Sequence, residues 1–279
     1  MLSFGARLRA AMRQRGPLCV GIDPHAQLLA AWGLSDDVAG VSTFCQTVVE
    51  ALADRVAVFK PQSAFFERFG SGGVHILEST IRQLREAGAL VLLDVKRGDI
   101  GSTVAAYADA YLNPLRPMYV DAITASPFLG LGSLAPMFAE ARRHGGGVFV
   151  LALTSNSEGP EVQHARRPDG RTVAQSIIDE ISQLNVGEPG LGSIGAVVGA
   201  TIGETGHDLS RLGGPILVPG LGAQGGTPND LRSVFAGNLS AVVPSYSREV
   251  LGAGPDVAAL RATASKLTDE LEIVLGSTK

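Results

Sequence analysis

With 279 residues, of which 45% are hydrophobic and 18% charged, the chain can bury a large core as one large domain or two small ones. The net charge of −4 gives no electrostatic reason to expect a nucleic acid or an anionic membrane as a partner. No apolar run approaches the roughly 20 residues that a membrane-spanning helix needs. Cys19 and Cys45 are too few for a disulfide framework, so we expect reduced thiols in a cytoplasmic protein.

Eight short β-rich segments recur along the chain, and most are continuously apolar, which is typical of parallel strands covered on both faces. The predicted strands are 18–22, 56–60, 90–96, 122–126, 148–154, 194–201, 215–219 and 240–244. Segments with helical periodicity separate or flank them: residues 1–15, which form an amphipathic helix rather than a signal peptide, and 41–54, 74–86, 103–111, 134–144, 173–184, 228–235 and 255–275.

Eight strands that alternate with helices favour a (β/α)8 barrel, which typically needs about 250 residues, over an open doubly wound sheet. We therefore predict a single (β/α)8 TIM barrel with an N-terminal helix, forming one catalytic domain over residues 1–279. The polar connection 155–172 is interpreted either as a lid or as a solvated excursion.

Polar and charged side chains are found where four of the predicted strands end. Asp23 follows the first strand, Lys60 ends the second and Ser126 ends the fourth, while Asp94 and Lys96 end the third. Because the functional groups of such barrels gather at the carboxyl ends of the strands, we expect these side chains to surround one site.

The segment 94–99, Asp-Val-Lys-Arg-Gly-Asp, is the strongest of these signals. Side chains two residues apart in a strand point the same way, so Asp94 and Lys96 should share one face, with Asp99 in the loop beyond. A salt bridge that closes the strand would explain the Asp94–Lys96 pair alone. Two carboxylates around a lysine, with an arginine and a glycine among them, indicate a functional site instead.

A glycine-rich segment, residues 219–227, follows the seventh predicted strand, and Arg248 follows the eighth. Loops at these two places in a barrel often bind phosphate through backbone amides and a helix N-terminus. Glycines allow close approach of the backbone, and an arginine adds a fork of donors. A flexible surface loop is the alternative interpretation.

The segment 93–103, Leu-Asp-Val-Lys-Arg-Gly-Asp-Ile-Gly-Ser-Thr, resembles the signature of the orotidine 5′-phosphate decarboxylase family. Segments 21–24, 59–62 and 219–226 resemble family segments in the same order, and the length and the Phe-Lys-Pro-Gln segment indicate the longer bacterial-type branch. The resemblance implies a homodimeric (β/α)8 enzyme without cofactor or metal. Such an enzyme converts orotidine 5′-monophosphate to UMP and CO2 in de novo pyrimidine biosynthesis.

The resemblance also implies roles for individual residues. Lys96 would protonate C6 of the pyrimidine, and Asp94 would lie against the substrate carboxylate. Lys60 would hold the charged network and a ribose hydroxyl, and Asp23 would bind the ribose too. Asp99 and Thr103 would reach into the site of the neighbouring subunit. The remaining expected substrate-binding residues are Ser126 for the pyrimidine edge and Pro219, Gln224, Gly225 and Arg248 in the last two loops.

Two other functions compete with decarboxylation of orotidine 5′-monophosphate. Magnesium-dependent sugar-phosphate decarboxylases or aldolases of the same superfamily place an acidic metal ligand at the end of the second strand, where this chain has Lys60. A non-catalytic phosphate-binding barrel would not require Lys60, Asp94, Lys96 and Asp99 together. The five histidines are scattered without metal-ligand spacing, so we expect no metal site.

Overall fold

Eight parallel strands close into a barrel in the computed structural model of this chain, which describes residues 2–203, 206–223 and 225–276. Each strand pairs with the next along the chain, and the eighth pairs with the first. The predicted (β/α)8 barrel is therefore confirmed. The strands are β1 (Cys19–Ile22), β2 (Val58–Pro61), β3 (Leu90–Arg97), β4 (Ala122–Ala125), β5 (Gly147–Leu153), β6 (Ile194–Val198), β7 (Ile216–Val218) and β8 (Val242–Tyr246).

Helices surround the barrel, and the long ones lie where the sequence predicts them. Short helices of six residues or fewer were not predicted, because so few residues do not display a helical period. No helix among the described residues is long and apolar enough to cross a membrane. The helices are α1 (Phe4–Arg15), α2 (Ala26–Ala31), α3 (Val38–Leu52), α4 (Ala64–Glu67), α5 (Gly70–Glu86), α6 (Gly101–Leu112), α7 (Ala135–His144), α8 (Gly159–Gln163), α9 (Val173–Leu184), α10 (Pro228–Val234), α11 (Arg248–Leu251) and α12 (Val257–Leu275).

Some predicted boundaries were wrong. The predicted strand 240–244 begins too early, since Leu239–Ala241 form a 3-10 turn and β8 runs on to Tyr246. The predicted strand 194–201 is too long, because β6 ends at Val198. The connection 155–172 contains α8 and an antiparallel bridge between Arg166 and Thr172, so it is partly folded.

Helix α1 closes the amino-terminal end of the barrel. The Phe4 side chain is buried there, with its ring edge-on to Phe149 at a centroid distance of 5.8 Å. Gly147 at the start of β5 leaves room for it, since a Cβ there would lie 2.4 Å from the Phe4 ring. Arg7 donates to Asp121 at 2.5 Å and to the Gly145 carbonyl at 2.7 Å. With this end filled, the carboxyl end is the one that can hold a ligand.

Truncating Phe4 to alanine should lower the free energy of unfolding by about 3–5 kcal/mol, because it leaves a cavity at the base of the barrel. Urea denaturation at a fixed protein concentration, followed by circular dichroism, measures this loss. Leu115→Ala is the matched control, since Leu115 is 86% exposed and its loss should change stability by less than about 0.5 kcal/mol. Equal stabilities of the two variants would contradict the packing role of Phe4.

Candidate active site

A cavity of about 470 Å³ opens at the carboxyl ends of the strands. Six of the predicted site residues line it: Asp23, Lys60, Asp94, Lys96, Pro219 and Arg248. They come from β2 and β3 and from the chain that follows β1, β7 and β8. Segments far apart in sequence thus meet at one end of the barrel, as the strand-end pattern predicts.

The Asp94 carboxylate lies at the centre of a charged network. Lys60 Nζ donates to its Oδ2 at 3.0 Å, and Lys96 Nζ donates to its Oδ1 at 2.6 Å. Thr124 Oγ1 also donates to Oδ1, at 2.8 Å. In the orientation that satisfies its hydrogen bonds, the Gln62 amide nitrogen donates to Oδ2 at 2.5 Å and its oxygen accepts from Lys96 Nζ at 3.3 Å. Four neighbouring donors therefore fix the plane of one carboxylate.

Burial and pairing act in opposite directions on the ionisation of this network. Burial raises the pKa of Asp94, but the attraction of Lys60 and Lys96 and the hydrogen bonds from Lys96 and Thr124 outweigh burial and lower that pKa to about 2. Burial likewise lowers the pKa of Lys60, but the attraction of Asp94 and Asp23 outweighs it and raises that pKa above its ordinary value. Both groups are therefore charged at neutral pH although they are buried.

The two ammonium groups differ in accessibility. The Lys60 side chain is 8% exposed, whereas that of Lys96 is 45% exposed. Both line the same cavity. Lys60 is therefore placed to hold the buried carboxylate, and Lys96 is placed to meet a ligand.

Strand β3 departs from regular geometry where it carries Lys96. Leu93 pairs with Ile123 and Arg97 pairs with Ala125, so β3 has two more residues than β4 between these two pairs, which is a bulge. Within this bulge Lys96 has a positive φ of 47°, a strained conformation for a residue with a side chain. The prediction that Asp94 and Lys96 share a face is confirmed by their contact, but a bulge rather than plain alternation sets the geometry.

Two residues of the cavity wall have buried oxygen atoms without a hydrogen-bond partner in the described part of the chain. They are Asp23 Oδ1 and Ser247 Oγ. Gly21 leaves space for both side chains, because a Cβ at that position would lie 2.8 Å from Ser247 Cβ and 3.0 Å from Asp23 Oδ2. A buried carboxylate oxygen and a hydroxyl that face a cavity are suited to bind a hydroxyl group of a ligand.

The glycine loop after β7 is folded on itself. Gly222 N donates to Gly226 O at 2.8 Å, Gly225 N to Gly222 O at 2.8 Å, and Gly226 N to Gly220 O at 3.1 Å. These amides are therefore occupied within the loop rather than directed to a ligand. Gly225 does not line the cavity, and Gln224 lies outside the described residues.

Three further predicted residues lie away from the cavity. Asp99 accepts a hydrogen bond from the Ile100 amide at 2.8 Å, and Thr103 is exposed in the first turn of α6. The Ser126 amide donates to Arg97 O at 2.9 Å, and its side chain is not part of the cavity wall. Within one chain, the structure does not bring these three residues to the site.

Sequence reasoning missed six polar residues of the cavity wall. All except Thr154 lie within three positions of a predicted residue. The six are His25, Gln62, Thr124, Thr154, Ser245 and Ser247. Gln62 is two positions after Lys60, and Thr124 is two positions before Ser126. The available signal for Thr124 was a hydroxyl within the apolar fourth strand, because a buried polar group needs a hydrogen-bond partner. Among the described residues, no group of three or more His, Cys, Asp or Glu side chains is arranged to hold a metal ion.

Comparison with known proteins gives consistent matches over the whole chain. The model of the "Orotidine 5'-phosphate decarboxylase / HUMPS family" matches residues 16–263. A protein of Salinispora arenicola named orotidine 5′-phosphate decarboxylase is 70% identical over 275 residues, and the match covers 99% of both chains. A protein of the same name from Streptomyces coelicolor is 61% identical over 272 residues, and the match covers 97% of this chain and 98% of that one.

Solved structures agree. A crystal structure from Streptomyces avermitilis superposes with a TM-score of 0.97 at 59% identity, covering 99% of this chain and 97% of that one. The structure of Leishmania donovani OMP decarboxylase gives a TM-score of 0.77 at 32% identity, covering 99% of this chain and 100% of that one.

The ionisation of Asp94 predicts how stability depends on pH. Its pKa in the folded protein, about 2, is below the ordinary value of 3.8, so its stabilising effect is complete above pH 3.8 and is lost as the pH falls to about 2. Asp94→Asn should lack this part of the pH dependence. At neutral pH the free energy of unfolding of the variant should be about 3–5 kcal/mol lower, because Lys60 loses its buried partner.

Urea unfolding across this pH range measures both effects. Asp54→Asn serves as the control, since the Asp54 side chain is 69% exposed and its carboxylate lies 3.7 Å from the neighbouring Arg55. An Asp94→Asn variant with wild-type stability at neutral pH would contradict the pairing described above.

Proposed function

Since this chain belongs to the orotidine 5′-phosphate decarboxylase / HUMPS family, we propose that Lys96 is the proton donor in the decarboxylation of orotidine 5′-monophosphate. The enzyme is a carboxy-lyase of pyrimidine biosynthesis, which converts this nucleotide to UMP and CO2. The observation that carries the proposal is the Lys60–Asp94–Lys96 network, buried on one side and open to a cavity on the other.

The proposed chemical step uses Lys96 twice. The bond between C6 and the carboxylate breaks, CO2 leaves, and the electron pair remains on C6. The Lys96 ammonium stabilises this developing carbanion and then transfers a proton to it. Because Asp94 holds the ammonium at 2.6 Å before substrate binds, the charge is already in place and needs little reorganisation.

Asp94 acts on the substrate carboxylate in this proposal. Its low pKa keeps it ionised, so a substrate carboxylate placed beside it would be repelled. Loss of CO2 removes that repulsion, which favours the transition state over the bound substrate. Lys60 keeps the Asp94 charge compatible with burial.

The remaining contacts orient the nucleotide. Asp23 Oδ1, buried without a partner in the described residues, and Lys60 would bind ribose hydroxyls. Pro219 and Arg248 line the cavity and belong to the two loops expected to bind phosphate. Gln224 and Gly225 belong to the first of these loops, which would close as a lid. Recognition of the pyrimidine by Ser126 stays a prediction.

We propose that a homodimer completes each site, with Asp99 and Thr103 contributed by the neighbouring subunit. Both residues lie just beyond β3 and outside their own cavity. Ile100, which is 62% exposed, and Phe128, which is 77% exposed, are large apolar side chains in the loops after β3 and β4. A neighbouring subunit packed against these loops would remove this apolar surface from water. Burial and reduction of Cys19 and Cys45 agree with the expected cytoplasmic setting.

The magnesium-dependent alternative is disfavoured by charge. Lys60 Nζ lies 3.0 Å from Asp94 Oδ2 and Lys96 Nζ lies 2.6 Å from Oδ1, so both oxygens already face an ammonium group. A divalent cation there would be repelled by two positive charges at close range. A non-catalytic phosphate-binding barrel would have no use for such a costly buried network.

Purified protein should consume orotidine 5′-monophosphate, as measured by the absorbance of this nucleotide. A chelator should leave the rate unchanged. Lys96→Ala should lower the rate at least about a thousandfold, because the proton donor and the charge near C6 are both lost. Lys266→Ala is the matched control, as the Lys266 side chain is 76% exposed on α12.

Circular dichroism and size-exclusion chromatography would verify that Lys96→Ala folds and assembles as the wild type does. Wild-type turnover in that variant would contradict the role of Lys96, and turnover abolished by the chelator would support the metal-dependent alternative.

The shared site predicts complementation between two inactive variants. Coexpressed Lys96→Ala and Asp99→Ala subunits should recover about a quarter of wild-type activity, because half of the dimers are mixed and each mixed dimer has one intact site. Coexpressed Lys96→Ala and Asp94→Asn should recover nothing, since those two residues belong to the same subunit's site. Failure of the first pair to complement would show that Asp99 does not serve the neighbouring site.

A further inference from the structure

The Thr124 hydroxyl lies at the junction between the strained backbone of Lys96 and the Asp94 carboxylate. The side chain is buried, and β4 carries it into the wall of the cavity. Thr124 Oγ1 accepts a hydrogen bond from Lys96 N at 2.9 Å and donates one to Asp94 Oδ1 at 2.8 Å. One hydroxyl therefore contacts both residues of the proposed reaction centre.

The direction of these hydrogen bonds is fixed by chemistry. A backbone N–H can only donate, so the hydroxyl must accept from Lys96 N with a lone pair. Its single proton is then available for the ionised Asp94, which can only accept. A residue in this position needs a lone pair and a proton on one atom, which threonine and serine offer and valine does not.

The bulge in β3 explains why such a contact is needed. Between the pairs Leu93–Ile123 and Arg97–Ala125 the strands are out of register, and Lys96 adopts its positive φ of 47° there. A backbone amide left without a partner inside the protein is costly, and the Thr124 hydroxyl supplies the partner. The bulge interrupts the hydrogen bonds between β3 and β4 and directs Lys96 toward Asp94, and the Thr124 hydroxyl replaces the hydrogen bond that the Lys96 amide would otherwise lack.

We propose that Thr124 is a positioning residue, whose hydroxyl holds the backbone of Lys96 and the carboxylate of Asp94 in the arrangement that the reaction requires. This inference rests on the proposed function of Lys96. It assigns Thr124 no contact with the substrate. Loss of the Thr124 hydroxyl therefore displaces the Lys96 ammonium group but leaves the proposed sugar and phosphate contacts of Asp23 and Arg248 in place.

Kinetics of Thr124→Val and Thr124→Ser test this role. Thr124→Val keeps the shape but lacks the hydroxyl, and its kcat should fall about ten- to a hundredfold through misplacement of Lys96. Its KM should stay within about threefold, because uniform binding contacts are unchanged. Thr124→Ser should keep kcat within about threefold of the wild type, since it restores both hydrogen bonds.

A matched control and a second variant guard against a general loss of stability. Thr80→Val replaces another buried threonine, whose hydroxyl donates to Ile76 O at 2.8 Å within α5, and should leave kcat unchanged. Thr124→Cys differs from Thr124→Ser by one atom and hydrogen-bonds weakly, so it should show the loss of kcat even if Thr124→Val does not fold.

The outcomes separate this role from the proposed function. The role of Thr124 would be overturned if both Thr124→Val and Thr124→Cys kept the wild-type kcat. It would also be overturned if Thr124→Ser lost as much kcat as Thr124→Val. In either case, turnover of orotidine 5′-monophosphate by the unmutated protein would still support the decarboxylase function. A crystal structure of the valine variant gives a readout without activity. Lys96 should leave its positive φ there, and an unchanged Lys96–Asp94 contact would overturn the proposal.

Discussion

The Asp94 carboxylate, buried between two lysine ammonium groups, is the interaction on which the site depends. A charge in the interior of a barrel is tolerated only if it is paired and hydrogen-bonded, and Asp94 meets both conditions through contacts from β2, β3 and β4. The same contacts that allow the charge to be buried also determine where each charge lies. Stability and chemistry are therefore coupled here, because removing one partner leaves another charge without compensation.

The two ends of the barrel divide these tasks. At the amino-terminal end, Phe4 fills the interior and Arg7 pairs with Asp121, so that end contributes packing. At the carboxyl end, five charged side chains line the cavity, and Asp23 Oδ1 has no hydrogen-bond partner among the described residues. Filling one end allows the other to be polar and open, which is the general arrangement of barrels of this kind.

Strain is concentrated where the proposed chemistry takes place. Lys96 is the one non-glycine residue with a positive φ in the described part of the chain, and it lies in a bulge of the strand that carries Asp94. Strained residues persist only where their surroundings hold them. Here Thr124 accepts a hydrogen bond from the Lys96 backbone, and Asp94 accepts one from the Lys96 side chain. These contacts hold the Lys96 ammonium group in place before substrate binds, which is the preorganisation that the proposed chemistry requires.

The sequence by itself determined the eight strands, the barrel and the five Asp, Lys and Arg side chains that line the cavity, because apolar runs and charged strand ends are local patterns. Asp23, Lys60, Asp94, Lys96 and Arg248 were all identified in this way. Only the tertiary structure decided that Thr124 and Gln62 complete the network, that Ser126 lies off the cavity wall, and that the glycine-loop amides bond to one another. These features depend on the register between β3 and β4 and on loop folding, which arise from contacts between distant segments that no local pattern encodes.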